Sequence, residues 1–266
     1  MKPTLQIKNL GKTFYCPRGG RHRSLKHLLS RLWSRETWRT DQLNYVTVLE
    51  NISFDVYPGE FVGIMGRNGI GKSTILKIIA GIYQPSTGSI EANGSIAPLL
   101  DLGAGFQDDL SGYENIFLNA AILGFSREET MEQLENIIRF TELGPKLYQP
   151  VRTYSMGMLV RLGFSIAAYM NSPIVLLDEV LGVGDAGFLL KSTRKIKDLH
   201  EQGRTIILVT HNPVSVSNHC TRCIVLDQKK IIFDGDAKTG ANVYLQSVCE
   251  PTTEPSDTIV HTQLVY

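Results

Sequence analysis

GRNGIGKST, residues 66–74, is the stretch that decides the fold. It matches the pattern G-x-x-x-x-G-K-[ST], in which a glycine-rich loop between a strand and a helix surrounds a phosphate with backbone N–H groups. An apolar run over residues 60–65 predicts the strand, and residues 73–80 predict the helix. The predicted phosphate-binding residues are Gly66, Arg67, Asn68, Gly69, Gly71, Lys72, Ser73 and Thr74. Lys72 is expected to reach the β- and γ-phosphates of a nucleoside triphosphate, and the Ser73 hydroxyl to bind Mg²⁺.

A second apolar run, IVLLDE at residues 174–179, ends in two carboxylates. Four consecutive apolar residues predict a parallel strand buried on both faces, and open α/β sheets bind ligands at the carboxyl ends of their strands. We therefore expect Asp178 to bind Mg²⁺ and Glu179 to act as the base for the attacking water. His211 follows a predicted strand at 205–209 and can donate to a γ-phosphate oxygen, although a single histidine is more often a surface or capping residue. The predicted catalytic residues are Glu179, His211 and Lys72.

The composition restricts the class of protein. The 266 residues carry a formal net charge of +1, which gives no global field for nucleic acid, and four scattered cysteines, too few for a secreted disulfide framework. No signal peptide is evident at the first residues, and no apolar stretch approaches the ~20 residues needed to span a bilayer. These features predict a soluble, cytosolic chain. We interpret Cys220 and Cys223 as structural rather than as a redox or zinc pair, because no second pair accompanies them.

Residues 16–45 form a basic insert between two predicted strands. Five apolar residues recur there at helical spacing, and seven Arg or Lys residues surround them with one glutamate. The pattern predicts a basic amphipathic helix. Such a helix suits a membrane interface or an anionic lipid headgroup, and it equally suits packing against its own domain with a solvated basic flank.

A mostly helical region is predicted over residues 104–170. Ser111 with Glu114, and Ser126 with Glu129, fit the capping-box pattern ahead of predicted helices at 115–123 and 130–143. A third helix is expected to run from Ser155 to about residue 169. Ser155 can cap that helix and, with Gly157, offer N–H groups to an anion.

Taken together, GRNGIGKST, YSMGM at 154–158, IVLLDE, Asp185 and His211 resemble the ATP-binding subunit of an ABC transporter, over nearly the whole chain. The resemblance implies an α/β fold: a phosphate-loop (RecA-like), mostly parallel core with an antiparallel β-subdomain and a helical subdomain. Residues 1–248 would form the nucleotide-binding domain and 249–266 a flexible polar tail. The family usually has L-S-G-G-Q where this chain has YSMGM, which leaves the rate and the coupling of hydrolysis open.

The resemblance also implies further site residues and the cofactors ATP and Mg²⁺. Phe14 or Tyr15 would stack on adenine, although an ordinary aromatic at a strand end is the simpler interpretation of the sequence alone. Gln107 would bind Mg²⁺ and sense a membrane partner. Ser155 and Gly157 would close on the γ-phosphate held by a second subunit, with Asp185 at the subunit interface.

Within the family, the chain resembles the branch that exports polysaccharides. YSMGM, DEVLGVGDAGF at 178–188 and LLDLGAGF at 99–106 carry that resemblance, and the basic insert resembles the gate helix of O-antigen exporters. It implies a homodimer on the cytoplasmic face of the inner membrane, bound to two copies of a polytopic permease and driving a lipid-linked glycan across, with no nucleic acid involved. Teichoic acid or capsule export is the alternative, followed by an ABC ATPase without a transport role. We expect no C-terminal carbohydrate-binding domain, because the chain ends soon after residue 248.

Overall fold

The computed structural model describes residues 2–16, 44–100, 105–178 and 185–249. In these residues the strands are β1 (Leu5–Cys16), β2 (Asn44–Val56), β3 (Phe61–Gly66), β4 (Thr87–Ala92), β5 (Ile96–Leu99), β6 (Ile174–Leu177), β7 (Thr205–Val209), β8 (Arg222–Asp227) and β9 (Lys230–Asp236). The α-helices are α1 (Lys72–Ile79), α2 (Gly112–Ile122), α3 (Arg127–Thr141), α4 (Met156–Tyr169), α5 (Ala186–Glu201), α6 (Pro213–His219) and α7 (Ala237–Cys249). Short 3₁₀ helices at Gly144–Tyr148 and Val151–Thr153 join α3 to α4.

The larger sheet has six strands in the order β5-β6-β7-β3-β8-β9. All neighbouring pairs are parallel except β8 with β9, which form an antiparallel hairpin. Every residue of β3, β6 and β7 is buried, as expected for strands covered on both faces. The prediction of a central parallel strand at IVLLDE is therefore confirmed.

Two layers of side chains cover the larger sheet. On one face, Ile64, Ile207 and Ile224 pack with α1 and with the smaller antiparallel sheet, whose strand order is β2-β1-β4. On the other face, apolar residues of β6 and β7 pack against α4 and α5, while β8 packs against α6 and α7. The predicted fold class, a mostly parallel α/β core with an antiparallel subdomain and a helical subdomain, is confirmed.

Both predicted capping boxes are present in the helical subdomain. The Glu114 backbone N–H donates to the Ser111 hydroxyl at 3.2 Å, and the Glu114 carboxylate accepts from the Ser111 backbone N–H at 2.8 Å. Ser126 and Glu129 repeat the arrangement at 3.2 and 2.7 Å. The helices α2 and α3 begin directly after their caps, three residues earlier than the apolar periodicity predicts, because the capping serine sets the first turn.

The strands beside the basic insert are longer than predicted. We expected a strand over residues 4–9, but β1 continues to Cys16, which pairs with Asn44 of β2. Residues 16, 44 and 45, placed in the insert by the sequence, therefore belong to a β-hairpin. The predicted amphipathic helix and the polar tail lie outside the described residues, so both stay predictions, as do the domain boundaries. No helix in the described ranges is long and apolar enough to cross a bilayer.

Candidate functional site

The phosphate loop lies between β3 and α1, where two glycines are required by close packing. A Cβ on Gly66 would lie 2.7 Å from the Leu226 carbonyl oxygen of the neighbouring strand. Gly71 has φ of 111°, and a Cβ there would lie 2.7 Å from the Leu49 side chain. The two glycines thus let the loop pass in close contact with β8 and β2 before α1 begins.

Lys72, the first residue of α1, is buried inside the loop. Its Nζ donates to the carbonyl oxygens of Gly66 at 2.7 Å and Arg67 at 3.1 Å, which folds the loop around the ammonium group. Because α1 has no side-chain cap, its first turn presents backbone N–H groups and the positive end of the helix dipole at the loop. Ser73 is exposed at the same end. A cation, a helix start and an exposed hydroxyl together match what a polyphosphate with Mg²⁺ requires.

Asp178 and His211 both lie at the carboxyl edge of the sheet. Leu177, just before Asp178, pairs with Leu208 of β7, and the Thr210 backbone N–H donates to the Ile64 carbonyl oxygen of β3 at 3.2 Å. The ends of β3, β6 and β7 are therefore level. Asp178 and His211 both line one cavity of about 510 Å³ at this edge. Glu179 lies outside the described residues, so its predicted role as base stays a prediction.

Gln107 is held by a residue that the sequence analysis missed. Asn115 of α2 is fully buried; its side-chain oxygen accepts from the Gln107 backbone N–H at 2.8 Å. Its side-chain nitrogen donates to the carbonyl oxygens of Gln107 at 3.1 Å, Leu110 at 3.3 Å and Ser111 at 2.9 Å. One amide thus fixes the backbone of residues 107–111 and leaves the Gln107 side chain exposed.

Ser155 and Gly157 stand at the exposed start of α4. The Ser155 hydroxyl accepts from the Met158 backbone N–H at 3.4 Å, which confirms the predicted cap. Among the described atoms, a Cβ on Gly157 would come within 4 Å of the Ser155 hydroxyl alone, at 3.9 Å. In the described part of the chain, neither residue has a hydrogen bond to the phosphate loop.

Asp185 joins the start of α5 to the other helices. Its carboxylate caps α5 by accepting from the Phe188 backbone N–H at 2.9 Å, and it also pairs with Arg161 of α4. Arg161 donates in addition to Glu142, at the end of α3, at 3.0 Å, and Lys191 of α5 donates to Glu142 at 2.6 Å. The Phe188 N–H and the Arg161 guanidinium hold the pKa of Asp185 below its usual value. Arg161, the single charged residue of α4, thus connects the helix that begins after Ser155 with Asp185.

The two aromatic residues predicted near adenine point to different neighbours. Phe14 is half-buried, with its ring 5.6 Å from that of Tyr83 and the Lys12 Nζ 5.0 Å above it. Tyr15 is exposed and its ring lies 6.1 Å from that of Tyr45 across the hairpin. The stacking of Phe14 or Tyr15 on adenine stays a prediction.

The cysteine pair lies under α7 and away from the phosphate loop. Burial raises the pKa of Cys223 to about 12, and burial also raises the pKa of Cys220. Thiols that resist ionisation are poor nucleophiles and poor metal ligands. No group of His, Cys, Asp and Glu side chains suited to a metal ion occurs among the described residues. The pair fits the structural interpretation made from the sequence.

Two signals in the sequence point to the residues that were missed. Asn115 is a polar residue among the buried positions of α2, and Arg161 is a lone charge in an apolar helix. A polar group on a buried face is stable only if it is hydrogen-bonded, so each of these residues indicates that a polar partner lies nearby in the fold. The sequence does not say which partner it is.

A family model described as "ABC transporter" matches residues 49–182. An O-antigen export system ATP-binding protein of Myxococcus xanthus is 45% identical over 208 residues, 78% of this chain and 47% of that protein. Its counterpart in Klebsiella pneumoniae is 42% identical over 200 residues, 75% of this chain and 81% of that protein. A teichoic acids export ATP-binding protein of Lactococcus lactis is 43% identical over 183 residues, 69% of this chain and 39% of that protein. The chain thus spans about half or less of two of these three relatives.

Solved structures share the fold. A dimeric ATP-binding cassette, MJ0796, in a post-hydrolysis state with ADP and Pi, superposes with a TM-score of 0.67 at 22% identity, over 88% of this chain and 98% of that chain. The likeness supports the arrangement of sheets and helices described above.

Proposed function

The chain belongs to the ABC transporter family, and we propose that it is the ATP-hydrolysing subunit of an exporter that drives a lipid-linked, O-antigen-like polysaccharide across the inner membrane. The observation that carries the ATPase part is that the phosphate loop, Asp178 and His211 come after the carboxyl ends of β3, β6 and β7, which are neighbouring parallel strands. The polysaccharide part is supported by what the named relatives export.

Each residue of the proposed ATPase site has a separate chemical role. Lys72 neutralises charge on the β- and γ-phosphates, and the start of α1 supplies N–H donors. Ser73, Asp178 and Gln107 would hold Mg²⁺, which neutralises the phosphate charge that develops during transfer. Glu179 accepts the proton of the attacking water, and His211 donates to a γ-phosphate oxygen.

Two copies would complete the site. The start of α4 at Ser155 and Gly157 is exposed and makes no hydrogen bond to the phosphate loop of its own chain, in the ranges described. In a head-to-tail homodimer, these N–H groups would face the γ-phosphate bound by the partner. Arg161 would then connect that contact with Asp185 at the interface. Because Arg161 also pairs with Glu142, binding of ATP at the start of α4 would affect the positions of α3 and α5 as well.

A membrane permease would dock in an apolar groove that is lined in part by Gly105, two residues before Gln107. The groove of about 620 Å³ lies between the end of α1, β5, α2 and α4, and it exposes Ile82 and Ile122. Asn119 also lines it, and its buried side-chain nitrogen has no hydrogen-bond partner among the residues that the structure describes. An amphipathic helical segment from the permease would cover both isoleucines and offer Asn119 an acceptor. The subunit would accordingly sit on the cytoplasmic face of the inner membrane.

The proposal is tested with the chain purified together with its permease and reconstituted into liposomes. We expect Glu179→Gln to lower ATP turnover by about 10²- to 10⁴-fold, the usual contribution of a general base, while ATP binding and dimerisation persist. Glu201→Gln is the matched control, because Glu201 is exposed at the end of α5, and it should leave turnover unchanged. Ile122→Glu should abolish co-purification with the permease without affecting ATP binding.

The substrate class has its own readout in the same liposomes. Turnover should rise with a lipid-linked O-antigen glycan. Stimulation by a teichoic acid carrier alone would replace the O-antigen assignment with the alternative raised by the Lactococcus relative. A protein that stays monomeric and inactive with Mg-ATP, even when bound to its permease, would contradict the ATPase proposal itself.

A further inference from the structure

A polar cavity of about 360 Å³ lies where the helical subdomain meets α5. Residues of α3 and α4 form one wall, and Lys195 of α5 and Arg204, just before β7, form the other. No residue of the phosphate loop, and neither Asp178 nor His211, lines this cavity. It is therefore a site apart from the proposed ATPase centre.

Two cations, Lys195 and Arg204, share this cavity, and neither forms an ion pair within the described part of the chain. Lys195 is half-buried, with its Nζ 3.7 Å from the centre of the Tyr169 ring. Arg204 donates to the Met170 carbonyl oxygen at 2.8 Å and lies 3.5 Å from the side-chain oxygen of Asn171. Among the described residues, no Asp or Glu lies within ion-pair distance of either cation. Burial lowers the pKa of Lys195 and the charge of Arg204 lowers it further, against a smaller opposing effect of Asp198.

Hydrogen-bond acceptors surround the two cations. Glu129, Glu132, Gln133 and Gln202 line the same cavity. The Glu129 carboxylate accepts from the Ser126 backbone N–H at 2.7 Å, which fixes it at the start of α3, and within the described ranges it forms no ion pair with Lys195 or Arg204. Cations beside carboxylates and amides suit a ligand that carries both an anionic group and hydroxyl groups.

We propose that this cavity binds a phosphorylated sugar or polyol. The phosphate would lie between Lys195 and Arg204, and the hydroxyl groups would donate to the carboxylates and amides of the rim. A cavity of this size lies within the range of small-molecule sites. Because its walls come from α3, α4 and α5, the bound ligand would hold the helical subdomain against the helix that Asp185 caps, and so would change the rate of ATP turnover.

The test measures binding by calorimetry to the full chain saturated with a non-hydrolysable ATP analogue and Mg²⁺, which keeps phosphate out of the phosphate loop. Binding of the analogue is measured first, so its failure counts against the proposed function and not against the second site. The probes are glucose 1-phosphate, inorganic phosphate and glucose. We expect glucose 1-phosphate to bind more tightly than inorganic phosphate and glucose not to bind.

Two lysine variants on α5 test whether Lys195 binds the phosphate group of the ligand. Lys195→Met should weaken glucose 1-phosphate binding about tenfold, as the loss of one charge-assisted hydrogen bond predicts. Lys197→Met is the matched control, because Lys197 is exposed and paired with Glu201 at 3.6 Å. Equal affinity of the two variants, or no binding of either phosphate probe to the saturated chain, would overturn the proposal. Inorganic phosphate binding as tightly as glucose 1-phosphate would overturn the sugar part.

Discussion

Replacing Asn115 by alanine tests whether one buried amide holds the loop that carries Gln107. The substitution removes four hydrogen bonds, to the Gln107 N–H and to the carbonyl oxygens of Gln107, Leu110 and Ser111. At about 0.5–1.5 kcal/mol for each bond, the sum would be roughly 2–6 kcal/mol. Because all four bonds share one side chain and are not independent, we expect a loss of about 2–4 kcal/mol in the free energy of unfolding.

The same variant should also affect turnover, because residues 107–111 lose the contact that positions Gln107. We expect ATP hydrolysis by Asn115→Ala to fall at a temperature where the protein is still folded. The free energy of unfolding is measured by urea denaturation, and turnover by phosphate release. Asn136→Ala on α3 is the matched control, since Asn136 is exposed and has one hydrogen bond, to Gln133 at 3.2 Å, and it should change stability by less than about 0.5 kcal/mol. If the two variants have equal stability and equal turnover, the reasoning about Asn115 is refuted.

Two further predictions concern Asp185 and the cysteines. The Phe188 N–H and Arg161 hold the pKa of Asp185 below its usual value of about 3.8, so its ionised form stabilises the folded chain above that pH and the stabilisation is lost as the pH falls through the folded pKa. Asp185→Asn should therefore be less stable than the unmodified chain at pH 6, with the gap in urea denaturation narrowing below about pH 4; a gap that does not change with pH would be inconsistent with the pairing. In a Cys16→Ser background, a thiol reagent should modify one cysteine per folded chain quickly, the exposed Cys249, because burial raises the pKa of Cys220 and Cys223. Rapid modification of three would show that the pair is accessible and would remove the structural interpretation.

The core of the fold was predictable because its signals are local. The phosphate loop, the buried strand at IVLLDE and the two capping boxes each depend on residues within a few positions of one another, and each lies where the sequence predicts. Family resemblance supplied what local patterns do not contain, namely the antiparallel subdomain.

The contacts that organise the site were not predictable from the sequence. Asn115 reaches back eight residues to Gln107, and Arg161 reaches forward to Asp185 across a turn and a strand. The partner of a buried polar side chain depends on which groups the tertiary structure places beside it. The periodicity of the sequence does not predict that placement. The length of the β1–β2 hairpin was also missed, since its exposed end has Tyr15 and Tyr45 facing each other rather than an apolar alternation.

The end of the β1–β2 hairpin is a site where the chain can tolerate an insertion. Because Cys16 and Asn44 are direct partners across the ladder, whatever connects them departs and returns at neighbouring points. The entropy of closing such a loop rises only with the logarithm of its length, so a segment there can grow, shrink or be exchanged at small thermodynamic cost to the cassette. The segment between β1 and β2 can therefore vary in sequence and length while the phosphate loop stays unchanged.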